Sequence, residues 1–219
     1  MTVINEFEEK CSVCGKTSPQ PVMMSTSTFG YPDLDLRPSE MKRSSMFAWL
    51  HVCPHCGYVA SSLENELEVP CEILKSEEYL TCGGHDFKSK SSKMFYRQHL
   101  ISKADNDCRS EFFSLLHCAW ACDDRDEEFA VEIRKMALKS IDRIGAEDED
   151  EKNNLILLKA DLLRRSVQFD RLISEFKDVI INDKLYNDLL SFQIEKAMEK
   201  DCGCYTVEDV LKNTNPPVI

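Results

Sequence analysis

The two stretches CSVCG at 11–15 and CPHCGY at 53–58 decide how the first half of this chain folds. Each is a CxxCG knuckle, and residues 15–52 separate the two. A knuckle presents two sulfurs from one tight turn, and the glycine after its second cysteine (Gly15, Gly57) tolerates the positive φ such a turn favours. Two knuckles together supply Cys11, Cys14, Cys53 and Cys56, a four-thiolate set with the tetrahedral preference of a structural zinc site. Iron accepts the same sulfur tetrahedron, so spacing leaves both metals open, and zinc is the preferred reading. His51 lies beside the second knuckle and His55 within it, but four cysteines leave no need for either as a ligand.

Around the knuckles lies a chain of 219 residues, 42% hydrophobic and 30% charged, enough to bury a core as one large or two small domains. Eleven cysteines, an odd number, in a long chain whose first residues lack a basic-then-apolar leader, point to a reducing cytoplasm rather than a disulfide scaffold. Apolar runs such as LILL and VII are far too short to span a bilayer, so no membrane anchor is expected. A formal charge of −12 argues against nucleic-acid partners, since phosphate contact runs on Lys and Arg. The charge is uneven: residues 1–110 carry 12 Lys+Arg against 15 Asp+Glu, and residues 111–219 carry 15 against 24.

The sequence changes grammar near residue 105. Before it, Cys, Ser, Thr, Gly and Pro abound, and VMMSTSTF (22–29) and MFAWLHV (46–52) read as strands. Beyond residue 108, apolar positions recur every three or four residues, which predicts helices over 108–122, 127–144, 151–166, 169–182 and 185–200. Short loops make neighbouring helices antiparallel, and the acidic run 147–151 caps the third. The expected fold class is α+β: a β-rich metal-binding domain over 1–105, an all-α domain of antiparallel hairpins over 108–204, and a fraying tail over 205–219.

Other polar groups invite a role. In YPDLDLRP (31–38), strict alternation puts Asp33, Asp35 and Arg37 on one side of an extended stretch. They form either a polar binding site, with His51 nearby, or a turn closed by its own ion pair. Cys71, Cys82 and His85, with Cys108 as a further candidate, offer ligands for a second metal site, although their spacing follows no standard template. Cys118 and Cys122 share a helix face and read as packing. Cys202 and Cys204 carry no assigned task, reactive only if exposed. Lys88, Lys90, Lys93 and Arg97, with His85 and His99, form a small basic stretch, read as a solvated face or a contact for an acidic partner.

Taken together, CSVCG, YPDLDLRP, CPHCGYVA and the helical HCAWACDD resemble the bacterial family called domain of unknown function 2225, over most of the chain. That resemblance implies a metal-binding N-terminal part followed by helical repeats, without an activity. The CPHCGY segment is also similar to a rubredoxin knuckle, so the N-terminal part is expected to be zinc-ribbon or rubredoxin-like. Residues 153–182 resemble a degenerate tetratricopeptide repeat, with Ala160 at the small position and Phe169 and Phe176 on the second helix. Leu172 and Val179 stand where that repeat usually has alanine.

Nucleophile elbow, phosphate-binding glycine loop, dinucleotide fingerprint and HExxH pair are all missing from the sequence. A closed four-thiolate site also lacks the open position a catalytic zinc needs for water. The expected function is therefore a zinc-stabilised interaction or scaffold module whose helical region docks a protein or peptide. The alternatives are a rubredoxin-like iron electron carrier and, more remotely, a metal-dependent enzyme.

Overall fold

Val3–Lys10 (β1) and Thr17–Ser25 (β2) pair antiparallel on either side of the first knuckle, with Lys10 opposite Thr17 and Val3 opposite Ser25. The second knuckle is likewise the turn of an antiparallel pair, His51–Val52 (β3) and Val59–Ala60 (β4). In the computed structural model, which describes residues 1–214, helical structure dominates from there on. The helices are Glu77–Leu80 (α1), Lys90–Ala104 (α2), Cys108–Arg125 (α3), Glu127–Ile141 (α4), Glu149–Arg165 (α5), Phe169–Phe176 (α6), Lys184–Met198 (α7) and Val207–Thr214 (α8). The molecule is thus a mixed α+β chain with small antiparallel strands first and a helical region after them.

Several elements depart from the sequence reading. MFAWLHV begins in a 3-10 helix over Arg43–Ala48, and only His51 and Val52 enter a strand. α2 occupies a stretch read as loop or strand; its buried Ser92, Phe95, Tyr96, His99 and Leu100 keep helical spacing, but serines and lysines mask the apolar stripe. Ser89 starts this helix by accepting hydrogen bonds from the amides of Ser91 and Ser92.

Later boundaries follow local chemistry. Asp107, Asp148 and Asp183 cap α3, α5 and α7 through their side chains, and Asp148 belongs to the acidic run expected to do so. α6 stops at Phe176, short of the predicted 182, because the β-branched run Val179–Ile181 and the α7 cap at Asp183 oppose continuation. Residues 207–214 form α8 where a tail was expected, while 215–219 of that tail lie outside the described residues.

Packing follows chain order, α2 on α3, α3 on α4, α4 on α5 and α6 on α7, with α5 also touching both α6 and α7. One continuous core joins the halves: it includes Tyr58, Val59 and Leu63, Phe95 and Leu100 of α2, and the fully buried Phe112, Leu115 and Leu116 of α3. Ala160, Leu162 and Leu172 continue the core between α5 and α6. No described helix is long and apolar enough to cross a membrane.

Candidate metal centre and the buried charge network

The two knuckles are near copies of one another. In the first, Gly15 N–H donates to Cys11 O at 2.8 Å and Cys11 N–H to Lys16 O at 2.9 Å. The second repeats this, with Gly57 N–H to Cys53 O and Cys53 N–H to Tyr58 O, both 2.9 Å. Gly15 and Gly57 have φ of +72° and +77°, a conformation that a side chain would strain. Backbone and side-chain hydrogen bonds join the hairpins. Ser12 N–H donates to Leu63 O at 2.8 Å, Gln20 pairs through its amide with the backbone of Val52, and Glu9 accepts from Leu63 N–H at 2.8 Å.

This frame brings Cys11, Cys14, Cys53 and Cys56 together, with all four sulfurs within 4.8 Å of one another. Cys11 and Cys53 are buried, and Cys14 and Cys56 lie nearer solvent. Backbone amides of Val13 and Cys14 point at the Cys11 sulfur, and those of His55 and Cys56 at the Cys53 sulfur. Against burial, which favours the neutral thiol, these amides and the neighbouring thiols hold Cys53 down to about 7. Burial and the surrounding sulfurs push Cys56 up. Four sulfurs this close cannot all ionise without a cation between them, and the donor set fits a thiophilic metal ion.

His51 is buried beside this frame, its Nδ1 2.9 Å from the Glu9 carboxylate and its Nε2 3.0 Å from Pro21 O. Burial opposes ionisation of Glu9, but the Leu63 amide, His51 and Ser62 outweigh it and hold this carboxyl below its ordinary value. His51 therefore braces β1 and β2 against β3.

Asp33, Asp35 and Arg37 do not line an open site. Residues 33–36 close a tight turn, with Leu36 N–H donating to Asp33 O at 2.9 Å and Leu36 at φ +67°. All three charged side chains are buried. Their partners come from the helices. Asp35 Oδ2 accepts from Trp120 Nε1 of α3 at 2.8 Å and from Arg165 of α5 at 3.3 Å. Arg37 pairs with Asp124 of α3 at 2.6 Å, and Asp33 with Arg43 at 2.5 Å. Behind them, Arg134 of α4 grips Asp123 with two bonds of 2.9 and 2.6 Å, and Arg165 joins the same carboxylate at 3.0 Å.

In α5, Arg164 pairs with Asp161 at 2.7 Å and donates to Gly203 O at 2.6 Å. Asp33, Asp35, Asp123, Asp124 and Asp161 thus face Arg37, Arg43, Arg134, Arg164 and Arg165, a balanced set. Burial opposes ionisation of Asp123, but Arg134, Arg165 and Arg37 outweigh it and hold this carboxyl low. Satisfaction is incomplete: Nε of Arg37, Arg134, Arg164 and Arg165 and Oδ2 of Asp161 have no hydrogen-bond partner. Buried ion networks of this kind specify an arrangement more than they add net stability. The sequence signal for the helical members was a charge inside an apolar stripe, as Asp161 between Ala160 and Leu162.

The remaining candidates separate. Among the described residues, the four-cysteine group is the only set of three or more His, Cys, Asp or Glu side chains close enough to share an ion. Cys71 is exposed on a 3-10 turn, whereas Cys82 is buried. His85 stacks on Phe87 at 5.1 Å and donates through Nδ1 to Cys82 O at 2.8 Å. A second metal site at these residues is therefore not assembled, because aromatic packing claims His85. Cys108 contacts Arg143 O instead.

Cys118 and Cys122 are fully buried against Ser92 of α2. Cys202 and Cys204 are both exposed; Cys204 turns its sulfur to Asp33 Oδ2 at 3.3 Å, and partial desolvation there together with the carboxylates of Asp33 and Asp35 pushes it up to about 12. The basic stretch is partly consumed as well, since Arg97 donates to Tyr79 O and His99 is buried. Fold and site together define a mixed α+β protein built around one candidate four-cysteine metal centre. No protein-family model, curated protein or solved structure matches the chain.

Proposed function

We propose that Cys11, Cys14, Cys53 and Cys56 hold one structural zinc ion as thiolates, in a zinc-ribbon-like pair of hairpins, and that the protein is a cytoplasmic interaction module. The observation that carries the metal reading is the pair of matched knuckles, each with amides aimed at sulfur and all four sulfurs within 4.8 Å. Bound zinc supplies cross-linking of the two hairpins, and its filled thiolate shell leaves no position for substrate. What the chain's own residues do is preorganise: Gly15 and Gly57 make the turns, while Glu9, Gln20 and Ser12 fix one hairpin against the other. Eleven unpaired cysteines accord with a reducing compartment.

The interaction role rests on the order of packing, in which most helices meet their sequence neighbours, the pattern of tetratricopeptide-like hairpins. It also accords with the likeness to domain of unknown function 2225. The inner charged face is filled by the chain's own 33–37 segment, so a protein partner docks elsewhere on the helices. Protein purified without added metal should contain about one zinc per chain and show no visible colour. Iron with charge-transfer absorption would replace this reading with a rubredoxin-like carrier. Affinity isolation of the full chain from its native cell should recover a protein in stoichiometric amount, and recovery of none removes the interaction role.

A further inference from the structure

A cleft of about 590 Å³ opens between the knuckle-bearing half and α3. Phe113, His117 and Trp120 stand at i, i+4 and i+7 on α3 and so share the face that forms one wall. Trp49, just after the 3-10 helix, forms another, its ring 5.3 Å from His117 and edge-on at 78°. His117 lies 4.7 Å from Trp120 and 6.3 Å from Phe113. Phe113 and Trp49 are only half-buried, so aromatic faces remain open to a guest. The volume falls within the range of about 300–1,000 Å³ typical of small-molecule sites, which are likewise mostly apolar with few polar groups.

Most polar groups on this lining are already engaged. Trp120 Nε1 donates to Asp35, Trp49 Nε1 donates to Ser45 at 3.2 Å, and both nitrogens of His51 have partners. Two are not: the Lys42 ammonium and the His117 ring make no hydrogen bond or ion pair among the described residues. Burial among the rings, with the positive field of Lys42, holds His117 down at about 4, so it is a neutral donor and acceptor at pH 7. Lys42 Nζ sits at the rim, 6.0 Å from the Trp49 ring centroid. The chain carries 39 Asp+Glu, yet none of them lines this cleft. An aromatic slot with one unpaired cation and no carboxylate suits a planar anion.

We propose that this cleft binds a small planar aromatic carboxylate, its ring between Trp49, Phe113 and Trp120 and its carboxylate at the Lys42 ammonium. His117 hydrogen-bonds an edge of the same molecule. The neutral walls select the ring, and Lys42 selects the charge. The zinc site and the helical docking surface play no part in this recognition, so its failure leaves the proposed function standing.

Isothermal titration calorimetry of the full chain with 2-naphthoate and its uncharged isostere 2-naphthamide tests it, alongside Lys42→Met. The exposed position of Lys42 makes that variant safe for folding. Naphthoate should bind about tenfold more tightly than the amide, and Lys42→Met should abolish that difference by weakening naphthoate alone. Absence of naphthoate binding at about 1 mM ligand overturns the proposal. So does a naphthoate affinity unchanged by Lys42→Met, or a peptide ending in phenylalanine that binds more than about tenfold tighter, which would make the guest a chain terminus.

Discussion

Trp120 Nε1 donates to Asp35 Oδ2 at 2.8 Å across 85 positions of sequence, so the linker between the knuckles is fastened to the middle of α3. The same oxygen lies 3.3 Å from Arg165 and 3.9 Å from Arg134. Asp35→Ala strips an acceptor and a charge from buried partners, which typically costs about 3–5 kcal/mol. Asp35→Asn keeps an acceptor for Trp120 and should lose less. Urea unfolding monitored by tryptophan emission checks both, and an Asp35→Ala midpoint equal to wild type would show that the network contributes nothing.

Removal of the metal should act first on the hairpins. Cys53→Ser should lower bound zinc from about one per chain to nearly none, and the structural ion commonly supplies the folding energy of such small units. Proteolysis is the readout: new cleavage is expected within residues 1–65, with the fragment carrying α3–α5 left resistant. Uniform loss of protection across the chain would mean that the halves do not fold separately.

Asp126 stands at the N-terminal boundary of α4 but makes no side-chain cap there. Its carboxylate turns instead to the start of α2, accepting from Ser89 N–H at 3.1 Å, Ser92 Oγ at 2.8 Å and Lys88 N–H at 2.5 Å. Asp126→Ala leaves three donors without a partner and should destabilise the fold by about 2–4 kcal/mol. Ser89→Ala, which removes an ordinary cap, should cost about 1 kcal/mol. Equal losses in the two variants would contradict this ranking.

His99 is buried in α2 with neither ring nitrogen hydrogen-bonded, and burial holds its pKa down at about 4. The unfolded chain therefore accepts a proton near 6.5 that the folded chain refuses. Stability from this residue is complete above pH 6.5 and is lost as pH falls toward 4, with a slope approaching about 1.4 kcal/mol per pH unit. His99→Phe should flatten that part of the stability profile relative to wild type. Identical slopes between pH 6.5 and 4.5 in the two proteins would refute the assignment.

The metal ligands were legible because a CxxCG knuckle is local: its chemistry, turn and glycine all lie within five residues. Helices α3, α4 and α5 were legible for the same reason, through apolar period, and α5 also through its acidic cap. α2 was hidden because its buried face includes Ser92, His99 and Ser102, which a hydrophobicity pattern counts as polar. The 46–52 segment alternates like a strand, yet its burial is set by contact with neighbouring elements rather than by a sheet. Asp33, Asp35 and Arg37 were recognisable as a cluster, but the partners of Asp35 and Arg37 sit on helices 85 to 130 residues away, and no local rule reaches that far.

Residues 205–207 return to the linker between the knuckles. Leu34 N–H donates to Tyr205 O at 2.9 Å, Val207 N–H donates to Pro32 O at 3.0 Å, and Asp33 bridges to Thr206. During synthesis, then, the 32–35 strip lacks these backbone partners until residue 207 has left the ribosome. Pairings across such separations close slowly and late. Without residues 205–207, Leu34 N–H and Pro32 O lose these partners, and the Asp33 bridge to Thr206 goes with them.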